Sequence, residues 1–204
     1  MKRDAIIFDE ENHTYRYLDK DLSGITKHIG RRLGKVFPDD PTPAIDAARA
    51  HGTHVHRSFE YLVKHGKLPL SSEARFVMET LRAKYDFSSC GIASEFLVSD
   101  YELYATAIDI VIFKGYGKID IYDIKTGSFD RDYCSWQLGI NKYFAEIEGD
   151  LSVDVCGVIA TRDKYVYNIA PRSTDRIKSL LYGVQHGKER VSGQGAGEPD
   201  RYCE

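Results

Sequence analysis

The chain has 204 residues, 42% of them hydrophobic and 29% charged, and a formal net charge of −3, which allows one domain with a real core and argues against a protein that holds nucleic acid by bulk charge alone. It has no run of about 18 apolar residues, so no membrane span is expected, and its start is too short and too soon acidic for a signal peptide. Cys90, Cys134, Cys156 and Cys203 are far apart and form no C-x-x-C, so they read as reduced thiols of a cytoplasmic protein, not as a metal cluster or disulfide framework.

Phe8 to Leu18 alternates loosely, with Tyr15 and Tyr17, and reads as a small hairpin or extended arm. Ser23 to Leu33 reads as a helix stopped by Gly34, and Pro38 to Pro43 as a loop. Thr42 then caps a helix with Pro43 at its first position, running from Ala44 to Lys64 and ending at His65-Gly66. Gly52 inside it costs about 1 kcal/mol against alanine, which marks a kink or a close approach. His56 and Glu60 share one helical face at i, i+4. A second helix covers Ser72 to Phe87, with Phe76, Leu81 and Tyr85 for its buried stripe.

Three strands follow, Ile92 to Ser99, Leu103 to Phe113 and Lys118 to Thr126. Arg131 to Glu148 is a helix with Trp136, Ile140, Tyr143, Phe144 and Ile147 as its apolar stripe. Val153 to Arg162 and Tyr165 to Ala170 are strands, Thr174 to Gln185 is a last helix, and the tail from Ser192 to Pro199 is linker-like. This order predicts one α/β (α+β) domain over residues 1–190, with an arm and helices to residue 90, a core from residue 91, and a flexible tail over 191–204. The expected architecture is a central mixed β-sheet flanked by helices on both faces, with the site on its central strands. Basic groups at Arg31, Arg32 and Lys35, at Arg57, Lys64 and Lys67, and at Arg172, Arg176 and Lys178 read mostly as solvated faces.

The chemistry concentrates on the second and third strands. A hairpin centred on Tyr116, between Gly115 and Gly117, places Asp109 opposite Asp123. Directly opposed like charges destabilise a sheet, so two aspartates there, among isoleucines and a valine, imply a cation between them. Alternation puts Lys125 on the face of Asp123, and the Ile124 carbonyl points sideways as a neutral metal ligand. A turn centred on Tyr101 places Glu95 opposite Ala107, within reach of Lys125 or a metal-bound water. Gln137 opens the following helix and can hydrogen-bond the lysine or a phosphate. Two acids and a lysine on one patch fit metal-assisted hydrolysis of a phosphate ester.

Together these residues resemble the PD-(D/E)xK nuclease superfamily in its RecB-like and phage-exonuclease branch. The matches are Gly52-Thr53-His54-Val55-His56 with Glu60, then Glu95, Asp109, Asp123-Ile124-Lys125-Thr126 and Gln137-Leu138. The stretch Phe8 to Tyr15, with His13, resembles leaders of phage members, so the resemblance runs from about residue 8 to residue 147. It implies a restriction-endonuclease-like core and a Mg²⁺- or Mn²⁺-dependent deoxyribonuclease, an exonuclease of phage or bacterial DNA recombination or repair. It implies that His56, Asp109, Asp123 and the Ile124 carbonyl bind the metal, that Lys125 assists the water, and that Gln137 supports the lysine or phosphate. Glu60 and Tyr143 are further supporting candidates. Its implied partners are DNA as substrate and a second copy or a recombination protein, with no membrane and no iron–sulfur cluster. Ala107 stands where the family has a glycine, and Asn141 where it has a tyrosine, with Tyr143 two residues on. Two other readings stay open: a nuclease-like DNA-binding or assembly module without useful catalysis, and a site-specific endonuclease.

Overall fold

The N-terminal arm is a three-stranded meander. In the computed structural model, which describes residues 2–9, 12, 14–34, 42–67 and 71–183, a single 3-10 segment (Lys2–Ala5) leads into β1 (Ile6–Asp9), β2 (Thr14–Tyr17) and β3 (Lys20–Gly24). β1 and β2 form the expected hairpin, with Phe8 opposite Tyr15. The third strand is new. Leu18 turns the chain at φ 54, and β3 pairs antiparallel with β2. Residues 23 and 24 are therefore extended, and α1 (Ile25–Arg32) starts two residues later than its sequence pattern implied.

α2 (Pro43–His65) carries Pro43 in its first turn, and the Thr42 hydroxyl accepts from the Ile45 N–H at 3.4 Å. Gly66, in the left-handed region at φ 65, ends it. α3 (Ser72–Lys84) stops short of the expected Phe87 because Tyr85 is already extended. Its buried face is Ala74, Val77, Met78 and Leu81, with Phe76 only packed at the margin. Next come β4 (Gly91–Ser99), β5 (Tyr104–Phe113) and β6 (Lys118–Lys125), then α4 (Arg131–Glu146), β7 (Ser152–Ala160), β8 (Tyr165–Asn168) and α5 (Thr174–Tyr182). Gly183 stops α5 at φ 67. The loop from Pro38, the last residues of the expected final helix, the tail and Cys203 fall wholly or partly outside the described residues.

All eight strands join one mixed sheet, in the order β1-β2-β3-β5-β6-β7-β8, with β4 also on β5. The fold is therefore mixed α/β, with helices on both faces. One apolar cluster joins the sheet to α1, α4 and α5 through Ile29, Ile108, Ile121, Leu138, Phe144 and Ile177. The other joins it to α2 and α3 through Phe59, Leu81, Ile110, Ile112, Tyr122 and Ile124. Gly157 of β7 fits beside Tyr122 because a Cβ there would lie 2.7 Å from the ring. Among the described residues no helix is long and apolar enough to cross a membrane, and Cys90 and Cys156 are free thiols.

β5 is the strand that creates the site. β4 runs along one of its edges from Ala105 to Phe113. On the other edge, β3 pairs parallel with Tyr104 and Ala105, and β6 pairs antiparallel with Ile110 to Phe113. Among the described residues, 106 to 109 therefore have no strand partner on that edge, and the sheet has a notch there. The β4–β5 turn centres on Glu102, one residue later than expected, so Leu97 faces Ala107 and Glu95 is level with Asp109. Glu95 sits in the left-handed region at φ 49. Register is the same on either side of that level, yet side-chain phase inverts across it. Ile108 packs toward α4 and Ile110 toward α2, although regular alternation would keep both on one face. Phe96 and Ile92 of β4 divide in the same way.

Candidate metal centre and active site

The notch gathers titratable groups from three elements. His56 of α2, Glu95 of β4 and Asp109 of β5 offer ligand atoms within 4.8 Å of one another. His56 Nδ1 lies 3.7 Å from Glu95 Oε1 and 3.7 Å from Asp109 Oδ1. The other ring nitrogen, Nε2, is 3.2 Å from the Ile124 carbonyl oxygen. An N–H donated there fixes the tautomer and turns the Nδ1 lone pair toward the two carboxylates, the arrangement a metal-binding imidazole needs.

Asp109 is the hub. The β5–β6 ladder ends at Ile110 and Tyr122, and Asp109 Oδ2 then accepts the Ile124 N–H at 2.7 Å. Asp123 follows on β6 on the α4 side, where the expected like-charge opposition is relieved by local partners. Lys125 Nζ lies 2.8 Å from Asp123 Oδ2, and Gln137 Nε2 donates to Oδ1 at 2.8 Å. Gln137 Oε1 also accepts from Lys125 Nζ at 3.4 Å. The site thus has two halves joined through Asp109: a His–Glu–Asp cluster on the α2 side and an Asp–Lys–Gln cluster on the α4 side.

Charge crowding shows in the ionisation of these groups. Burial, helped by Asp123 and Glu95 and opposed by His56, pushes the Asp109 carboxyl up to about 7. Burial alone would lower His56, but Asp109, Glu95 and Asp123 outweigh it and raise the imidazole to about 9. Burial likewise works against the Lys125 ammonium, yet Asp123 and Asp109 hold it well above the ordinary lysine value. A proton on His56 offsets the charge of the two carboxylates beside it. Oxygen donors with one imidazole suit Mg²⁺ or Mn²⁺, so the donor set fits the implied ion.

The expected residues divide as follows. His56, Glu95, Asp109, Asp123, Lys125 and Gln137 come together. Glu95 belongs to the cation cluster itself, on His56 and Asp109, and not opposite Ala107. The Ile124 carbonyl faces His56 Nε2. Glu60 lines the cleft beside the cluster and pairs with Lys64 at 2.5 Å. Tyr143 lies apart from the cluster, with Lys178 over its ring at 5.7 Å. Asn141 is buried in α4, and among the described residues its amide oxygen has no hydrogen-bond partner.

The cleft has a volume of about 620 Å³, with Gly52, Tyr15, Arg57 and Ala107 among its walls. The role of Tyr15 was not evident from sequence. Burial and the Glu95 charge raise its phenol to about 12, and its side chain lines the cleft. Tyr133, four residues before Gln137, feels the charges of both Lys125 and Asp123 and donates to the Thr26 carbonyl at 3.3 Å. Helical spacing from Gln137 is the signal that could have found it.

No protein-family model, curated protein or solved structure matches this chain.

Proposed function

We propose that the chain is a metal-dependent DNA nuclease of the PD-(D/E)xK type, with a restriction-endonuclease-like core, acting as an exonuclease in phage or bacterial DNA recombination or repair. The observation that carries this reading is the meeting of His56, Glu95 and Asp109 on one side of a sheet notch with Asp123, Lys125 and Gln137 on the other. His56 Nδ1, Glu95 and Asp109 would hold Mg²⁺ or Mn²⁺. When bound, such an ion lowers the pKa of a water and neutralises phosphate oxygens.

The chain's own groups supply the rest. Lys125 keeps its proton, so it serves as a fixed cation that orients the attacking water and stabilises charge developing on the phosphate. Asp123 and Gln137 position that ammonium through contacts of 2.8 Å and 3.4 Å. The Ile124 carbonyl orients His56, and Asp109 links the two halves so that they move together. Tyr15 and Glu60 line the cleft through which a strand reaches them.

The test is cleavage of end-labelled linear DNA and covalently closed circular DNA with Mn²⁺, Mg²⁺ or EDTA. Metal-dependent loss of linear DNA with the circle spared is the expected result. Cutting of the circle would replace the exonuclease with an endonuclease. DNA binding without cleavage in any metal, by folded protein, would favour the binding module instead.

A further inference from the structure

On the α4 side of the notch a second groove, of about 390 Å³, is lined by Arg32, Trp136, Arg176, Ser179 and Leu180. It lies where α1, α4 and α5 meet. Trp136 directly precedes Gln137, whose amide holds Asp123. Adjacent helical residues diverge by about 100°, so one turn of α4 presents Gln137 to the reactive centre and Trp136 to this groove.

The chemistry of the groove is specific. Trp136 is half-buried, and among the described residues its indole N–H has no protein partner. The Arg172 guanidinium lies 5.3 Å from the ring centre and is itself held by Asp132. That stack fixes the orientation of the indole before any ligand arrives. Arg32 and Arg176 are exposed, and among the described residues neither has a carboxylate partner. A protein of net charge −3 thus keeps uncompensated guanidinium groups around a partly exposed indole, one residue from its candidate active site.

We propose that this groove binds an unpaired segment of a DNA strand, with a base stacked on Trp136 and phosphates on Arg32 and Arg176. The proposal rests on the nuclease reading for the nature of the strand. An indole face and flanking arginines are the elements of sequence-tolerant single-strand binding. In a duplex the bases are stacked on each other, so the groove selects a frayed or single-stranded end over blunt DNA.

Trp136 is the only tryptophan of the chain, so tryptophan emission, excited at the red edge where the tyrosines do not absorb, reports on this groove. The full-length protein in EDTA is titrated with short oligothymidylate, while anisotropy of a labelled oligonucleotide reports binding independently. Saturable quenching that tracks the anisotropy is expected, with a weaker response to a blunt duplex. Trp136→Ala should weaken binding about 5- to 140-fold, the range for loss of one stacked base. Because Trp136 also packs on the core, the surface pair Arg32→Ala/Arg176→Ala is the second variant. It should reduce the slope of log affinity against log salt by about 1.4. Binding with no change in Trp136 fluorescence, an unaltered salt slope in the arginine pair, or no binding of the oligonucleotide overturns the proposal. Cleavage of linear DNA without a Trp136 response rejects the groove and keeps the nuclease. A Trp136 response without cleavage in any metal keeps the groove and rejects the nuclease.

Discussion

Asp109 reaches across the end of its own ladder to take the backbone N–H of Ile124 on one carboxylate oxygen, at 2.7 Å, and faces His56 with the other, at 3.7 Å. One side chain therefore closes the sheet and supplies the candidate metal centre. These roles separate by substitution. Asp109→Asn keeps an acceptor for Ile124 and should fold normally while losing cleavage at least about 100-fold. Asp109→Ala also orphans a buried N–H and should cost a further ~1–3 kcal/mol of stability. Denaturant midpoints beside cleavage rates check both, and full activity in either variant would remove Asp109 from the site.

Glu95 occupies left-handed backbone, φ 49, in the middle of a strand. A side chain there costs about 1 kcal/mol relative to glycine, which offsets what its carboxylate gains from the His56 imidazole 3.7 Å away. Glu95→Gly in chelated protein should therefore melt at the same temperature or higher, while Mn²⁺ affinity measured by calorimetry drops at least about tenfold. A large fall in melting temperature with unchanged Mn²⁺ affinity would make Glu95 structural.

Gly52 lies where α2 passes the end of β6, and a Cβ built there would meet Thr126 Oγ1 at 3.5 Å, an ordinary contact. Packing within the chain does not require this glycine. Gly52→Ala should stabilise the helix by about 1 kcal/mol. If the open face serves a passing strand, the same variant loses cleavage while its melting temperature rises. Cleavage equal to the parent protein would show that the cleft does not use that space.

Lys125→Ala leaves Asp123, whose side chain is 4% exposed, with Gln137 as its remaining close partner. Breaking a buried pair from one side costs about 3–5 kcal/mol in fully buried cases, and less here because the lysine is part-exposed. Asp123→Asn/Lys125→Met removes both charges and should recover most of that stability without recovering cleavage. A double variant as unstable as Lys125→Ala would assign the loss to packing.

The hairpin across Gly115 to Gly117 was legible because its turn fixed one register, and Ile110 to Phe113 pair with Ile119 to Tyr122 as expected. The Thr42 cap and the Gly66 stop were legible for the same local reason. β3 was not, since Leu22 is the only apolar residue among Lys20 to Gly24 and its pairing with β5 is long-range. The Glu95 error came from the turn before β5. There Asp100 Oδ1 accepts the N–H groups of Glu102, Leu103 and Tyr104, which shifts the centre by one residue. The simultaneous phase inversion in β4 and β5 has no sequence signal, because Ile108, Ile110 and Ile112 fit either face equally well. The sequence pattern could place the acids on neighbouring strands but not divide them between the two faces of the sheet.

The raised His56 pKa makes metal binding a proton-exchange reaction. In chelated protein the folded state holds the imidazole proton more tightly than the unfolded chain, whose ordinary value is 6.5 against about 9 in the fold. The resulting stability is complete below the unfolded value and is lost as pH rises through about 9. The melting temperature of chelated protein should therefore fall across that window, and His56→Gln should remove that part of the slope. Mn²⁺ bound at Nδ1 must displace the proton, so calorimetry in buffers of different ionisation enthalpy should register at least about one proton released near neutral pH, from His56 and in part from Asp109, and His56→Gln should lower that count. Affinity should rise with pH over the same range. Metal binding without proton release would mean that the ion does not use His56, leaving the two carboxylates as its ligands and His56 as their counter-charge.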